Sequence, residues 1–386
     1  MEGLRYTIAI LGFLMVTMML WDAFEVIILP RRVKRRLRFA RHFYRLTWRL
    51  RSMIAKLIPL DSPRENYLSY FGPLSLLLLL TAWVTGLVAG FAMIQWGLQD
   101  RLNVLDRAAP FSTYLYLSGT TFFTLGLGDV TPLGRLGKEL VVLEAGLGFA
   151  FLGGVVTYLP TIYQAFSRRE VGISMLDARA GSPPSAGELL RRNGNEMSAL
   201  GQLLGKWEVW SADLLESHIS YPFLVYFHSQ HADQSWLGAL TAILDTSALV
   251  IAGIDRGPVR QAKLTFAMAR LAVVELAQNF ILSPPAPARD RLPPSSFTML
   301  RKMLAEADVS MRAGTAPEKK LSELRRMYEP SVQALSNYLL ISLPPWFPIS
   351  ETPDRWQISN WQTPILSIAT ENSAIQETHG KRFAEG

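Results

Sequence analysis

Thr124-Leu125-Gly126-Leu127-Gly128-Asp129, followed by Val130-Thr131-Pro132, closes an uncharged run that begins at Ala108. How this run is read decides the fold. Pro110 bounds it on one side and Gly126 and Gly128 on the other, which leaves Phe111 to Phe123 as its helical part. About 13 residues at 1.5 Å each make roughly 20 Å of helix. That length cannot cross a bilayer core of ~30 Å, so the segment reads as a re-entrant half-helix that enters and leaves by one face.

On either side lie runs long enough to span. Asn66 to Gln99 carries no charge over 34 residues, and Ala145 to Ser167 none over 23; about 20 suffice. Thr7 to Leu29 is apolar apart from Asp22 and Glu25. It lacks a strongly basic start, and bulky Trp21 and Phe24 sit where a signal peptide would be cut, so it reads as an uncleaved helix. The expected fold is an all-α membrane protein with three transmembrane helices and one re-entrant helix. Composition agrees: of 386 residues 49% are apolar and only 18% charged, below the quarter usual in soluble domains. The absence of cysteine removes disulfide scaffolds, thiolate zinc sites and cysteine catalysis.

The net charge of +7 is concentrated. Arg31 to Lys56 holds eleven Lys and Arg and no acid, so the remainder of the chain is net acidic. One basic stripe beside an apolar segment is not the surface of a nucleic-acid binder. The positive-inside rule makes this block cytoplasmic, with the N-terminus outside and everything after about Arg168 cytoplasmic. Within it Phe39, Phe43, Leu46, Leu50, Met53 and Leu57 recur at helical spacing, and Lys34, Arg38, Arg41, Arg45, Arg49 and Lys56 fall together beside them. Such a helix lies in the membrane interface with its cations toward anionic lipid. A voltage sensor is disfavoured, since burial would cost about 2.5–3.5 kcal/mol for each of so many charges; a plain topology anchor is the preferred reading, and coupling of this helix to gating the second. Asp22 and Glu25 are expected to pair with Arg31, Arg32 or Arg35.

The Thr124–Asp129 hexapeptide resembles the signature of potassium-channel pore loops, whose commonest form is T-V-G-Y-G-D with a proline three residues on. The surroundings, a short helix between two spans, extend the resemblance over residues 66–167. It implies that the carbonyls of Thr124, Leu125, Gly126 and Leu127, with the Thr124 hydroxyl, replace the water shell of a permeant K⁺. Such a path needs consecutive carbonyls aimed one way and hence alternating backbone hand, which Gly126 and Gly128 can adopt freely. One loop per chain implies a homotetramer. Leu125 replaces the usual valine, and Leu127 the usual tyrosine, as in many second pore loops of two-pore-domain potassium channels. The pore-helix position that usually holds the partner of the filter aspartate is Leu117, and the one often holding a buried glutamate is Thr120. Asp129 is then held differently or left to attract cations at the mouth.

By the same resemblance Ala145 to Ser167 is the inner helix. Gly148 falls on a gating-hinge position and Gly153 on a second glycine position; Gly153-Gly154 and Pro160 could each permit a bend. The competing reading is that small residues allow close helix packing in lipid. Glu144 is an ionisable group at membrane depth, with either a bond to Ser118 or Thr120 or a role toward ions and gating.

The organisation expected is therefore 1–30 for the first span, 31–60 for the interfacial helix, 66–167 for the pore domain, 168–342 for a helical cytoplasmic domain and 343–386 for a tail rich in Pro and Trp. Helical periodicity runs through Leu189–His218, Trp236–Ile254 and Val259–Leu282, with a hairpin over Phe297–Ile341. No G-x-G-x-x-G follows a strand, which disfavours a dinucleotide-sensing domain. Leu237 to Ile254 has one charge, Asp245, and Thr241, Thr246 and Ser247 at its centre make it a buried soluble helix rather than a fourth span. His228 and His231 could share a helical face as metal ligands, against the commoner reading of surface histidines. No cofactor is expected. No nucleophile–base pair or carboxylate dyad stands out, so an enzyme is disfavoured. Three readings remain: a K⁺-selective channel, a weakly selective monovalent cation channel because of Leu127, or a non-conducting membrane-anchored sensor or scaffold.

Overall fold

A computed structural model of the chain describes residues 2–29, 39–58, 62–104, 109–194, 196–229, 234–280 and 290–348. Among these, ordered structure is helical, with two isolated bridges, Leu102 with Pro132 and Ile254 with Met311. The chain divides into two compact units, residues 1–167 with 216–228, and residues 168–215 with 229–386.

In the first unit α1 (Glu2–Ile27) packs along α4 (Phe71–Leu98). The seam is tight because small residues face each other: a Cβ on Gly12 would come within 2.6 Å of the Gly90 carbonyl oxygen. With no water to expel from between them, helices in lipid associate through this kind of close approach. The expected arginine partners of Asp22 and Glu25 lie outside the described residues. Asp22 is buried, and its Oδ2 accepts from the Trp83 indole at 2.9 Å and from the Ala40 backbone N–H at 3.0 Å. Its negative charge thereby sits at the N-terminus of α2 (Phe39–Ala55), where the helix dipole favours it. Glu25 accepts from the Trp21 indole at 2.6 Å.

The face of α2 that packs on protein is not the stripe picked out by its periodicity. Ala40, Tyr44, Trp48 and Ala55 are buried. Tyr44 stacks between Phe223 and Tyr226, with ring centroids 6.0 and 5.8 Å away. Trp48 meets Phe71 edge-on at 5.0 Å. Phe223 and Tyr226 belong to a 3-10 turn, Pro222–Tyr226, which lies far along the chain yet folds into the first unit. α3 (Ser62–Ser69) then leads into α4, and Arg51 binds the start of that stretch, its guanidinium 3.8 Å from the Tyr67 ring centroid. After α5 (Phe111–Phe122), α6 runs without interruption from Arg135 to Ala180, through Pro160.

In the second unit the periodicity of Leu189–His218 resolves into two helices, α7 (Ala186–Arg192) and α8 (Met197–Ser220), the latter ending in the first unit. The break falls at the Asn193-Gly194 turn, a good stop for a helix. The central element is α9 (Trp236–Gly253), all of whose residues are buried. α7, α10 (Val259–Phe280), α12 (Thr315–Arg326) and α13 (Glu329–Leu339) pack around it. Among the described residues of the whole chain four helices are long and apolar enough to cross a membrane, α9 being the one wholly within this unit, but a helix enclosed by protein presents no surface to lipid. It also carries Asp245, which receives Arg291 at 2.7 Å and the Tyr328 hydroxyl at 2.5 Å. Burial pushes the Tyr328 phenol well up, the neighbouring carboxylate adding to it. α11 (Pro294–Glu306) completes the unit, and Trp346 is buried in it, its carbonyl accepting from the Gly187 N–H at 2.8 Å. Trp356 and Trp361 lie outside the described residues.

Candidate functional site

α5 begins directly after Pro110, whose fixed φ suits a helix start. Its inner face is apolar: Tyr114 and Leu117 bury against Ala92 and Leu102, with Trp96 and Phe111 at the edge. The Tyr114 hydroxyl donates to the Asp100 carbonyl at 2.8 Å. At the far end the helix is wound closed by Phe123 N–H to Gly119 O, Thr124 N–H to Thr121 O and Leu125 N–H to Thr120 O, all at 2.8–3.1 Å.

Beyond this closure Thr124, Gly126 and Gly128 have φ of +56°, +57° and +77°, while Leu125 and Leu127 keep negative φ. Every second residue is therefore left-handed. A chain that alternates hand in this way turns successive carbonyls toward the same side, as a row of ligands for a bare cation requires. The glycines reach this region freely; Thr124 holds it at a strain of order 1–3 kcal/mol. Leu125 and Leu127 are 61% and 63% exposed, and a Cβ on either glycine would meet nothing within 4 Å. The loop thus presents an open flank. Its outer end is tied down, with Asn103 N–H donating to Thr131 O at 2.8 Å and Leu133 N–H to Arg101 O at 2.7 Å.

Asp129 is held by Tyr116, whose hydroxyl donates to its Oδ2 at 2.8 Å. Leu117, at the position usual for that donor, is turned into the core instead. Sequence reading did not single out Tyr116; one step along a helix rotates a side chain by about 100°, enough to exchange the two roles. Thr120 hydrogen-bonds back to the carbonyls of Tyr116 and Leu117, both at 3.0 Å. The buried carboxylate beside the pore helix comes instead from α6. Glu144 accepts from the Ser118 hydroxyl and, at 3.2 Å, from Gln95. It is fully buried and joins α4, α5 and α6 behind the loop. Of the two hydroxyls considered, Ser118 is the partner.

Gly148 lies where α6 crosses the last turn of α5: a Cβ there would run into the Phe122 carbonyl oxygen. The space beside this glycine is therefore occupied by the backbone of α5. A Cβ on Gly153 or Gly154 would meet nothing within 4 Å. Val142, Phe149, Val156 and Tyr163 follow one another at seven-residue spacing along α6, and all are exposed. Arg41, Arg45 and Arg49 lie on α2; Lys34 and Arg38 lie outside the described residues. His228 is among the described residues and His231 is not; among the described residues no group of three or more His, Asp or Glu could hold a metal.

A half-helix, a loop of alternating hand and two flanking spans define an ion-channel pore domain in a multi-pass membrane protein. Residues 77–165, which take in most of α4, all of α5 and the loop, and α6 to just past Pro160, match the family described as ion channel. This match supports a pore-loop channel-type domain over that segment. The chain is also 28% identical over 196 residues to an uncharacterized membrane protein, YdjJ, of Bacillus subtilis (strain 168), covering 50% of this chain and 56% of that one. It is 34% and 35% identical over 88 residues to Protein LctB of Bacillus caldotenax and of Geobacillus stearothermophilus, covering 20% of this chain and 65% of each. This chain thus spans less than two thirds of the length of each of these relatives. No solved structure matches it.

Proposed function

We propose that the protein is a homotetrameric, potassium-selective channel whose N-terminus lies outside the cell membrane and whose second unit is cytoplasmic. The observation that carries this reading is the alternation of φ at Thr124, Gly126 and Gly128. Carbonyls arranged so from one chain cannot surround an ion; four chains about an axis complete each ring. The open flank of the loop and the exposed seven-residue stripe of α6 are surfaces that such an assembly, or lipid, would cover. Mechanism is then passive. K⁺ sheds water for carbonyls of Thr124, Leu125, Gly126 and Leu127, and movement of the inner helix α6 opens or closes the inner side. The dipole of α5 points its negative end toward the ion path and favours a cation there.

The test is a reversal potential, with purified protein in a planar bilayer between KCl and NaCl. Reversal close to the K⁺ limit supports the reading. A cation current reversing near zero supports a weakly selective channel instead, which the replacement of a hydroxyl-bearing tyrosine by Leu127 favours; Leu127→Tyr should then restore selectivity. Persistent absence of current, with inner-helix variants equally silent, points to a membrane-anchored sensor or scaffold and overturns both.

A further inference from the structure

We propose that α2 is a binding surface for anionic membrane lipid and that Asp22 links its position to the pore loop. The helix has two apolar faces. One is fixed to protein through Ala40, Tyr44, Trp48 and Ala55. The other, Leu46, Leu50 and Met53, continued by Leu57 in the turn just past the helix, is more than half exposed at each residue. Arg41, Arg45 and Arg49 run between the two, with Lys56 in the turn just past the helix, and α2 contains no acidic residue.

What covers the exposed face follows from where the helix is tied. Its start is held by Asp22, near the end of the spanning helix α1, and its end by Arg51 to Tyr67, just before the spanning helix α4. Between two such anchors α2 lies at the membrane boundary. There an apolar stripe reaches acyl chains while the adjacent cations reach phosphate. A second copy of α2 would bring one basic row against another, and nucleic acid has no use for the leucines.

The link to the pore is a line of contacts. Asp22 accepts from both Ala40 N–H and the Trp83 indole. The Trp83 ring meets Phe151 of α6 at 6.4 Å, and Phe151 meets Phe122 at 6.1 Å. Phe122 closes α5 two residues before Thr124. A tilt of α2 drawn by lipid phosphate therefore acts on a carboxylate that also positions the wall behind the loop.

The chain has no cysteine, so Leu50→Cys gives the full-length protein a single attachment point for an environment-sensitive fluorophore. The labelled protein is placed in vesicles of phosphatidylcholine with or without phosphatidylglycerol, nitroxide being carried on the acyl chain of either lipid. The expected result is blue-shifted emission, quenched severalfold more by nitroxide on phosphatidylglycerol. Arg45→Gln/Arg49→Gln/Lys56→Gln removes that preference and keeps the blue shift, while Arg45→Lys/Arg49→Lys retains both. Water-like emission, quenching by neither lipid (a protein covers the face) or equal quenching by both overturns the lipid site. K⁺ flux is expected to rise severalfold with phosphatidylglycerol, and Asp22→Asn to flatten that rise with the quenching preference intact. An Asp22→Asn variant that responds like the parent overturns the link. The link rests on the channel reading, the lipid site does not. Absence of flux in every lipid overturns the channel reading and the link together, and leaves the fluorophore result to decide the lipid site.

Discussion

Gly148→Ala separates two roles for the glycine that faces the pore helix. A hinge glycine replaced by alanine gains helix propensity, about 1 kcal/mol, and loses only mobility. The structure predicts otherwise. The added methyl would overlap the Phe122 carbonyl oxygen, which is backbone in the last turn of α5 and has no rotamer by which to yield. Overpacking against a fixed group costs about 1–3 kcal/mol, so the propensity gain is cancelled or exceeded. Gly153→Ala is the internal control: it has the same propensity gain and nothing within 4 Å of the new methyl. The difference between the two variants isolates the steric part.

For a unit the size of the first, which holds both glycines, 1 kcal/mol moves the midpoint by about 2–4 °C, so Gly148→Ala should melt roughly 2–12 °C below Gly153→Ala. The assay is thermal unfolding in detergent followed by tryptophan fluorescence, with K⁺ and Na⁺ flux measured on the same preparations. Displacing Phe122 also displaces Thr124, so the K⁺/Na⁺ ratio should fall in Gly148→Ala alone. Equal midpoints with unchanged selectivity would refute the packing argument and return Gly148 to the hinge.

Tyr116→Phe takes the observed donor from Asp129, and bi-ionic reversal potentials should show a severalfold lower K⁺/Na⁺ ratio; an unchanged ratio means Asp129 is steadied elsewhere. Arg291→Met leaves the fully buried Asp245 without its cation and should cost about 3–5 kcal/mol, much of which Asp245→Leu/Arg291→Met recovers; chemical denaturation reads both, and a double variant no better than the single contradicts the pairing. Burial opposes ionisation of Glu188, but hydrogen bonds and charge from Arg191 and Arg192 outweigh it and hold its carboxyl below the ordinary range. Its stabilisation is thus complete above about pH 4.5 and is lost as pH falls through the lower folded value; Glu188→Gln should flatten that acid limb, and an identical limb would remove Glu188 from the account. Gly153→Ala/Gly154→Ala should lower steady K⁺ flux with the K⁺/Na⁺ ratio intact, whereas flux equal to the parent excludes a bend there.

What could be read from the chain was local. The half-helix followed from its length between Pro110 and Gly126, and the alternating backbone from two glycines one residue apart, because both depend on residues within one stretch. Ser118 and Thr120 were equal candidates for Glu144 in sequence; helical phase decides between them, and Thr120 is spent on its own helix. Tyr116 was hidden by the same phase. The protein-facing side of α2 was missed because its four members include two alanines, so the more apolar stripe dominated the pattern. Asp245 and Arg291 are 46 positions apart, and the return of Pro222–Tyr226 to the first unit depends on partners near residues 44 and 71. No spacing rule reaches pairs like these.

Where α6 can move follows from what each part of it touches. At Gly148 it is seated on the Phe122 carbonyl. At Tyr158 it is held by a hydroxyl bond to the Val26 carbonyl at 3.2 Å and by the rings of Tyr221 and Phe223, 5.8 and 6.3 Å away. Past Pro160, Phe166 meets Phe227 at 5.7 Å. One short segment, residues 221–227, therefore grips α6 on both sides of the proline. Pro160 lacks the N–H that would bond to Val156, which weakens the helix there, yet a bend at that point must pull apart aromatic pairs, each worth about 0.5–1.5 kcal/mol beyond its buried area. Gly153 and Gly154 stand between the two held regions, in open space and with the low helix propensity of glycine. A bend at this pair breaks neither the seat at Gly148 nor the grip beyond Tyr158, so it is the least opposed movement open to the inner helix.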